Sequence, residues 1–292
     1  AGKQGPAQGG IHRARLDQEL WLYAVVEGER RGRKVVVTAA PALILDGRRG
    51  PARRIVSPDE VAGLELHWYK VEPTGDSYDN TRGGFHWDPI TYREHPLGSW
   101  GARWRRRADA HPVGYPDTHG GAGTMAYKVE ARAGPVVVAS PGKESIWRGG
   151  LSDAVPRVAL RRDDTFLGRL TELFNTPYIW GSAGIPPAVH QAERLIGSDC
   201  ADFVVYGARR MGKKLRYRAT WHLGEVADTV ARAEKVDEQG RFVRANGATV
   251  AIGEGGVRVG DLLLFARHVG ALARDRAPLG VLDTNDVMIH TY

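Results

Sequence analysis

The feature that most constrains the fold is a change of hydrophobic period near Asp163. Before that point the apolar residues sit in short runs rich in β-branched and aromatic side chains, at residues 34–46, 63–73, 124–140 and 155–162. Such runs read as strands. In "LELHWYKVE", Leu64, Leu66 and Trp68 alternate with polar or amphipathic residues, as on a half-buried strand. Gly134-Pro135 marks a hairpin turn inside the third run. Residues 73–123 are dense in Gly, Pro, Asp and Arg, which reads as a functional loop or a string of short strands. The first half is therefore expected to be a β-rich accessory domain over residues 1–162, with an immunoglobulin-like sandwich as its form.

After Asp163 the spacing becomes helical. Phe166, Leu167, Leu170, Leu173 and Phe174 share one helix face, with Asp163 or Asp164 as the cap and Asn175 to Pro177 as the stop. In "CADFVVYGARRMG", Phe203, Val204, Gly207, Ala208 and Met211 form another such face. Asp199 or Ser198 can cap it, Arg209 and Arg210 suit its last turn, and Gly212 can end it. "GDLLLFARHVGALAR" reads as two strands joined at Ala266-Arg267, and "VMIHTY" as a third. The expected class is α+β, with a second domain over residues 163–292.

A length of 292 residues accords with about two domains. No run reaches the ~20 apolar residues of a transmembrane helix. "AGKQGPAQGG" shows no charged-then-apolar leader, as in a mature exported chain. The 41 Lys and Arg against 34 Asp and Glu favour anionic partners, or simply give a basic surface. "RWRRR" at 103–107, beside Trp100, suits polyanion binding, sugar stacking or an edge strand guarded by charge. The sequence does not set the oligomeric state.

The chain has 1 cysteine, Cys200, so it holds no internal disulfide. The expected helix places Cys200 in the first turn, where free N–H groups and the helix dipole stabilise a thiolate and can hold an oxyanion. A buried structural cysteine is the alternative. A nucleophile needs a base and a group to orient it. Among 10 histidines, His268 opens an apolar strand next to a glycine, and His290 lies in the last one. Antiparallel pairing of these strands sets the two imidazoles side by side. Either could instead be a core histidine.

Four blocks, "TPYIWGS", "SDCADFVVYGARRMG", "GDLLLFARHVGAL" and "MIHTY", occur in an order that resembles the NlpC cysteine peptidase family. That family reads approximately "PYxWGG … DCSGLV … GDLVFF … HVGIY … IH". The resemblance covers residues 163–292 and implies a minimal papain-like fold, with helices packed on an antiparallel sheet. It implies Cys200 as nucleophile, His268 as base and His290 as the residue that orients the base. Tyr178, with Trp180, Asp199, Ala201 and Asp202, would line the site. The implied substrate is a peptidoglycan stem peptide, cleaved outside the cytoplasmic membrane of a bacterium without metal, cofactor or nucleic acid.

The departures from the family pattern carry their own expectations. Ala201-Asp202 stands where the family has Ser-Gly. Asp202 is expected to place a negative charge near the site, repelling acidic substrates or selecting an amino group, unless its side chain points away. The insert between Trp180 and Asp199 is expected to build a wall of the cleft, with His190 on the surface. If the loop before Val287 moves the last strand, Asn285 or Asp283 takes the place of His290. Two alternatives stand beside the peptidase: a related thiol amidase or acyltransferase, and an inactive wall- or polyanion-binding protein.

Overall fold

The computed structural model describes residues 7–30, 32–45, 48, 49 and 54–292. The first six residues, and Asp46 of the first expected strand, lie outside the described residues. The chain forms two compact units. One comprises Ala1–Asp76, Trp87–Arg162 and Phe174–Thr176; the other comprises Ser77–His86, Asp163–Leu173 and Pro177–Tyr292.

The first unit is built on a six-stranded mixed sheet. Ile11–Arg15 pairs parallel with Arg157–Arg161, which pairs antiparallel with Gly123–Ala133. Gly123–Ala133 in turn pairs with Leu64–Pro73, and Leu64–Pro73 with Tyr92–Pro96. Val136–Ala139 folds back on Gly123–Ala133 around Gly134, whose φ is 57°. Alternation along Leu64–Pro73 buries Leu66 and Trp68 with Ala24, Val37 and Ala131. Lys70 and Glu72 of the same strand are also buried, because each has partners. Lys70 meets the Asp109 carboxylate and the His111 carbonyl, and Glu72 accepts the N–H groups of Val113 and Gly114 at 2.7 and 2.8 Å.

The immunoglobulin-like sandwich is therefore replaced by one mixed sheet with small two- and three-stranded sheets beside it. The reason lies in the pairing: the strand Arg157–Arg161 joins Ile11–Arg15 in parallel, a connection between distant segments that short-range turn signals do not encode. The arginine run is also less free than its sequence suggests. Arg105–Arg107 is a short strand on Trp21–Tyr23, and the Arg105 guanidinium lies 5.1 Å from the Trp21 ring centre. Trp104 is buried in the core.

The second unit corrects the papain-like expectation of helices packed on a sheet. Among the described residues strands outweigh helices, 35% of the chain against 11%, and the helices are short. Of the two expected helices, the first shortens to Phe166–Leu170 followed by a 3₁₀ turn, Thr171–Leu173. Its cap is Thr165, whose hydroxyl accepts the Gly168 N–H, rather than Asp163 or Asp164. Inside the run the Thr171 hydroxyl donates to the Gly168 carbonyl, and Asn175 adopts a φ of 64°. These local bonds compete with helix propagation.

The second helix, Cys200–Arg210, forms as its pattern requires. Asp199 is the cap, and its carboxylate accepts the Asp202 N–H at 2.8 Å. Gly212 follows the end at φ 89°. The two helices touch at Gly207, where an added Cβ would lie 2.5 Å from Leu170 Cδ2. Glu172, fully buried, ties them together by accepting from the Tyr206 hydroxyl and from Arg210 Nε. The strands Leu262–Leu264, Val269–Arg274 and Val287–Ile289 form a three-stranded antiparallel sheet, and the middle strand lies against the helix Cys200–Arg210. Among the described residues no helix is long and apolar enough to cross a membrane.

Candidate active site

The site is assembled from three pieces of the second unit. Tyr178–Trp180 forms a short strand that pairs parallel with Ser77–Asp79. On its other side Ile179 N–H donates to the Ser198 carbonyl at 3.1 Å, which sets Tyr178 beside the start of the Cys200 helix. Gly197 makes this approach possible: a Cβ there would fall 2.4 Å from the Pro177 carbonyl oxygen. Trp180, next along, is 42% exposed.

Cys200 occupies the first turn of the helix and is buried. Ala201 behind it is buried as well. The Asp199 carboxyl accepts the Asp202 N–H at 2.8 Å, and the Cys200 N–H at the head of the first turn is not taken up by it. The cysteine sulfur lies 3.6 Å from the Thr220 hydroxyl oxygen.

The second piece is the histidine pair. Ala271 stands opposite Ile289 and Leu272 opposite Met288. That register brings His268 Nε2 within 3.1 Å of His290 Nδ1, with the rings at 89°. His268 Nδ1 has no hydrogen-bond partner among the described residues. Burial, and then the neighbouring His290, hold His268 below the usual histidine range, so it is largely a neutral base at pH 7. Cys200 and His268 share no hydrogen bond. The Tyr292 ring neighbours both Tyr178, at 6.5 Å, and His268, at 5.9 Å, centre to centre. Burial, together with the charges of Asp199, Cys200 and Asp202, holds the Tyr178 phenol well above its usual range.

Comparison with protein-family models, curated proteins and solved structures finds no match to this chain.

The third piece is a buried polar cluster behind the cysteine, and it corrects two expectations. His190 is fully buried, not on the surface. Its ring stacks on Tyr217 at 3.4 Å and 13°, and Tyr217 in turn donates to Glu193. His190 Nδ1 accepts the Ala192 N–H at 3.1 Å, so the proton sits on Nε2, which faces the Ser182 carbonyl at 3.2 Å. A histidine accepting at one nitrogen is neutral, and burial pushes His190 down to about 4. Asp202 is also fully buried, 3.5 Å from His190, and among the described residues neither carboxyl oxygen has a hydrogen-bond partner. Burial pushes Asp202 up to about 8; burial and then Asp202 push Asp199 up to about 8. At neutral pH the pair is largely uncharged, so Asp202 does not present the negative charge expected of it. The insert that carries His190 packs Ala192, Leu195 and Ile196 into the interior.

The fallback residues belong to a polar turn of their own. Asp283 Oδ1 accepts the Asn285 N–H at 2.7 Å, and Asp286 takes the N–H groups of Asp283 and Arg276, which closes a polar turn on itself. Among the described residues no group of 3 or more His, Cys, Asp or Glu side chains is placed to hold a metal ion. Sequence reasoning missed Thr220, which belongs to no motif and reaches the sulfur only through tertiary folding.

Gly270 is the close approach that permits the histidine pair. A Cβ there would lie 2.5 Å from Met288 Cγ and 2.8 Å from the Ile289 carbonyl oxygen. Gly270→Ala is expected to force these strands apart and cost about 1–3 kcal/mol, read from urea unfolding curves.

Proposed function

We propose that this protein is a cysteine peptidase that hydrolyses amide bonds of peptidoglycan stem peptides outside the cytoplasmic membrane of a bacterium. The observation that carries the reading is the bond between His268 and His290. With Nε2–H of His268 donating to His290 Nδ1, the lone pair of His268 Nδ1 is free to take the thiol proton. The thiolate then attacks the amide carbonyl carbon. The Cys200 N–H, unclaimed by the cap, supports the oxygen as it gains charge. The imidazolium of His268 protonates the leaving amine, and water, deprotonated by the same ring, hydrolyses the thioester. The substrate class and location rest on the resemblance to the NlpC peptidases, not on the site geometry.

Thiol alkylation tests the Cys–His pair. Iodoacetamide at pH 6 is expected to modify Cys200 at least about tenfold faster in the wild type than in His268→Ala, because the variant loses the imidazolium partner of the thiolate. Equal rates would remove His268 from the mechanism.

A further inference from the structure

We infer that Thr220 donates a hydrogen bond to the Cys200 sulfur and stabilises the negative charge that forms there as the thiol proton leaves. This inference rests on the reading of Cys200 as a nucleophile and adds a residue to it. The Thr220 hydroxyl lies 3.6 Å from Sγ, within reach of a hydrogen bond to sulfur, and both residues are buried. Among the described residues that hydroxyl has no other hydrogen-bond partner. A buried hydroxyl left unpaired is costly, so its proton is directed at the sulfur. The contact favours one charge state over the other. A thiol and a hydroxyl exchange a weak bond in either direction, whereas a thiolate can only accept, and O–H to S⁻ is charge-assisted.

The segment carrying Thr220 is fixed before any substrate arrives. Tyr217, three residues earlier, is clamped between the His190 ring and Glu193. Arg218 donates to the His222 carbonyl at 3.3 Å, and His222 contacts Glu225 at 2.7 Å across the 3₁₀ turn Thr220–Glu225. The hydroxyl is therefore held against the helix start rather than carried on a free loop. The groups lining that helix start supply no cation: Asp199 and Asp202 are largely uncharged at neutral pH, and Tyr178 keeps its proton.

Alkylation of Thr220→Val and Thr220→Ser tests this, with Thr220→Ala in place of valine if circular dichroism shows that the valine variant fails to fold. At pH 6 iodoacetamide is expected to modify Cys200 about tenfold more slowly in Thr220→Val than in the wild type, with Thr220→Ser restored to within about twofold. A valine variant as fast as the wild type overturns the inference. So does a serine variant as slow as valine, since the methyl group and not the hydroxyl would then matter. Amide hydrolysis by the wild type is measured alongside. Its absence, with alkylation still slowed by valine and restored by serine, would sink the peptidase reading and leave the Thr220 contact standing.

Discussion

Cys200→Ala is expected to bring amide hydrolysis down to the buffer rate, and His268→Ala to lower kcat/KM by about 10²–10⁴-fold. The cysteine supplies the bond-forming atom, so no neighbouring group can replace it. The histidine supplies two proton transfers, and its loss leaves the Cys200 N–H and substrate binding to provide what remains. His290→Ala is expected to fall less than His268→Ala. It removes a group that fixes a tautomer and a ring plane, 3.1 Å from His268, rather than one that moves the reacting proton. Initial rates of amine release from a stem-peptide fragment across pH 5–8 measure all three.

The second large effect is on stability, and its sign follows from the buried carboxyls. Asp199 and Asp202 are each pushed up to about 8, whereas in the unfolded chain an aspartate titrates near ~3.9. Between those values the native state holds protons that the unfolded state has lost. Stability is thus greatest below about pH 4 as far as these groups are concerned, and falls as pH rises toward 8. His190 acts in the opposite sense. It is pushed down to about 4 and is neutral when folded, while the unfolded ring binds a proton below ~6.5, so its contribution is lost as pH falls from about 6.5 to 4. The net decline should steepen above about pH 6.5, where the histidine no longer offsets the carboxyls. Asp202→Asn keeps the shape of the neutral acid and cannot ionise. It is expected to flatten the decline by on the order of 1 kcal/mol per pH unit and to exceed the wild type in stability at pH 8. Urea unfolding followed by tryptophan fluorescence from pH 4 to 8 reads both chains. A wild type whose stability is flat or rising over that range would mean that Asp202 is ionised and paired in the folded state.

The parts of the site governed by short-range signals are legible in the sequence. The cap at Asp199, the apolar spacing through Phe203, Val204 and Gly207, and the glycine at 212 locate the helix that begins at Cys200. Alternation and the Ala266-Arg267 turn locate the strands that His268 precedes and His290 follows. What is not legible depends on partners far along the chain. Nothing in "AVHQAERL" says that His190 is buried, because the burial comes from stacking on Tyr217. Ser77–Asp79 sits in a polar, turn-rich stretch and becomes a strand only by pairing with Tyr178–Trp180. Thr220 precedes an exposed tryptophan and looks like a loop residue, yet it reaches the sulfur. The fold class failed for a related reason. The apolar spacing after Asp163 is helical, but with the local Thr171–Gly168 bond the helix gives way after five residues to a 3₁₀ turn, and the left-handed Asn175 follows that turn.

The most direct test of the central claim is digestion of purified peptidoglycan followed by mass spectrometry of the released fragments. The wild type is predicted to produce new free amino groups, each with the mass of one added water at a stem-peptide amide, and Cys200→Ala to produce none. No new amine with the wild type, or the same fragments with Cys200→Ala, would contradict it.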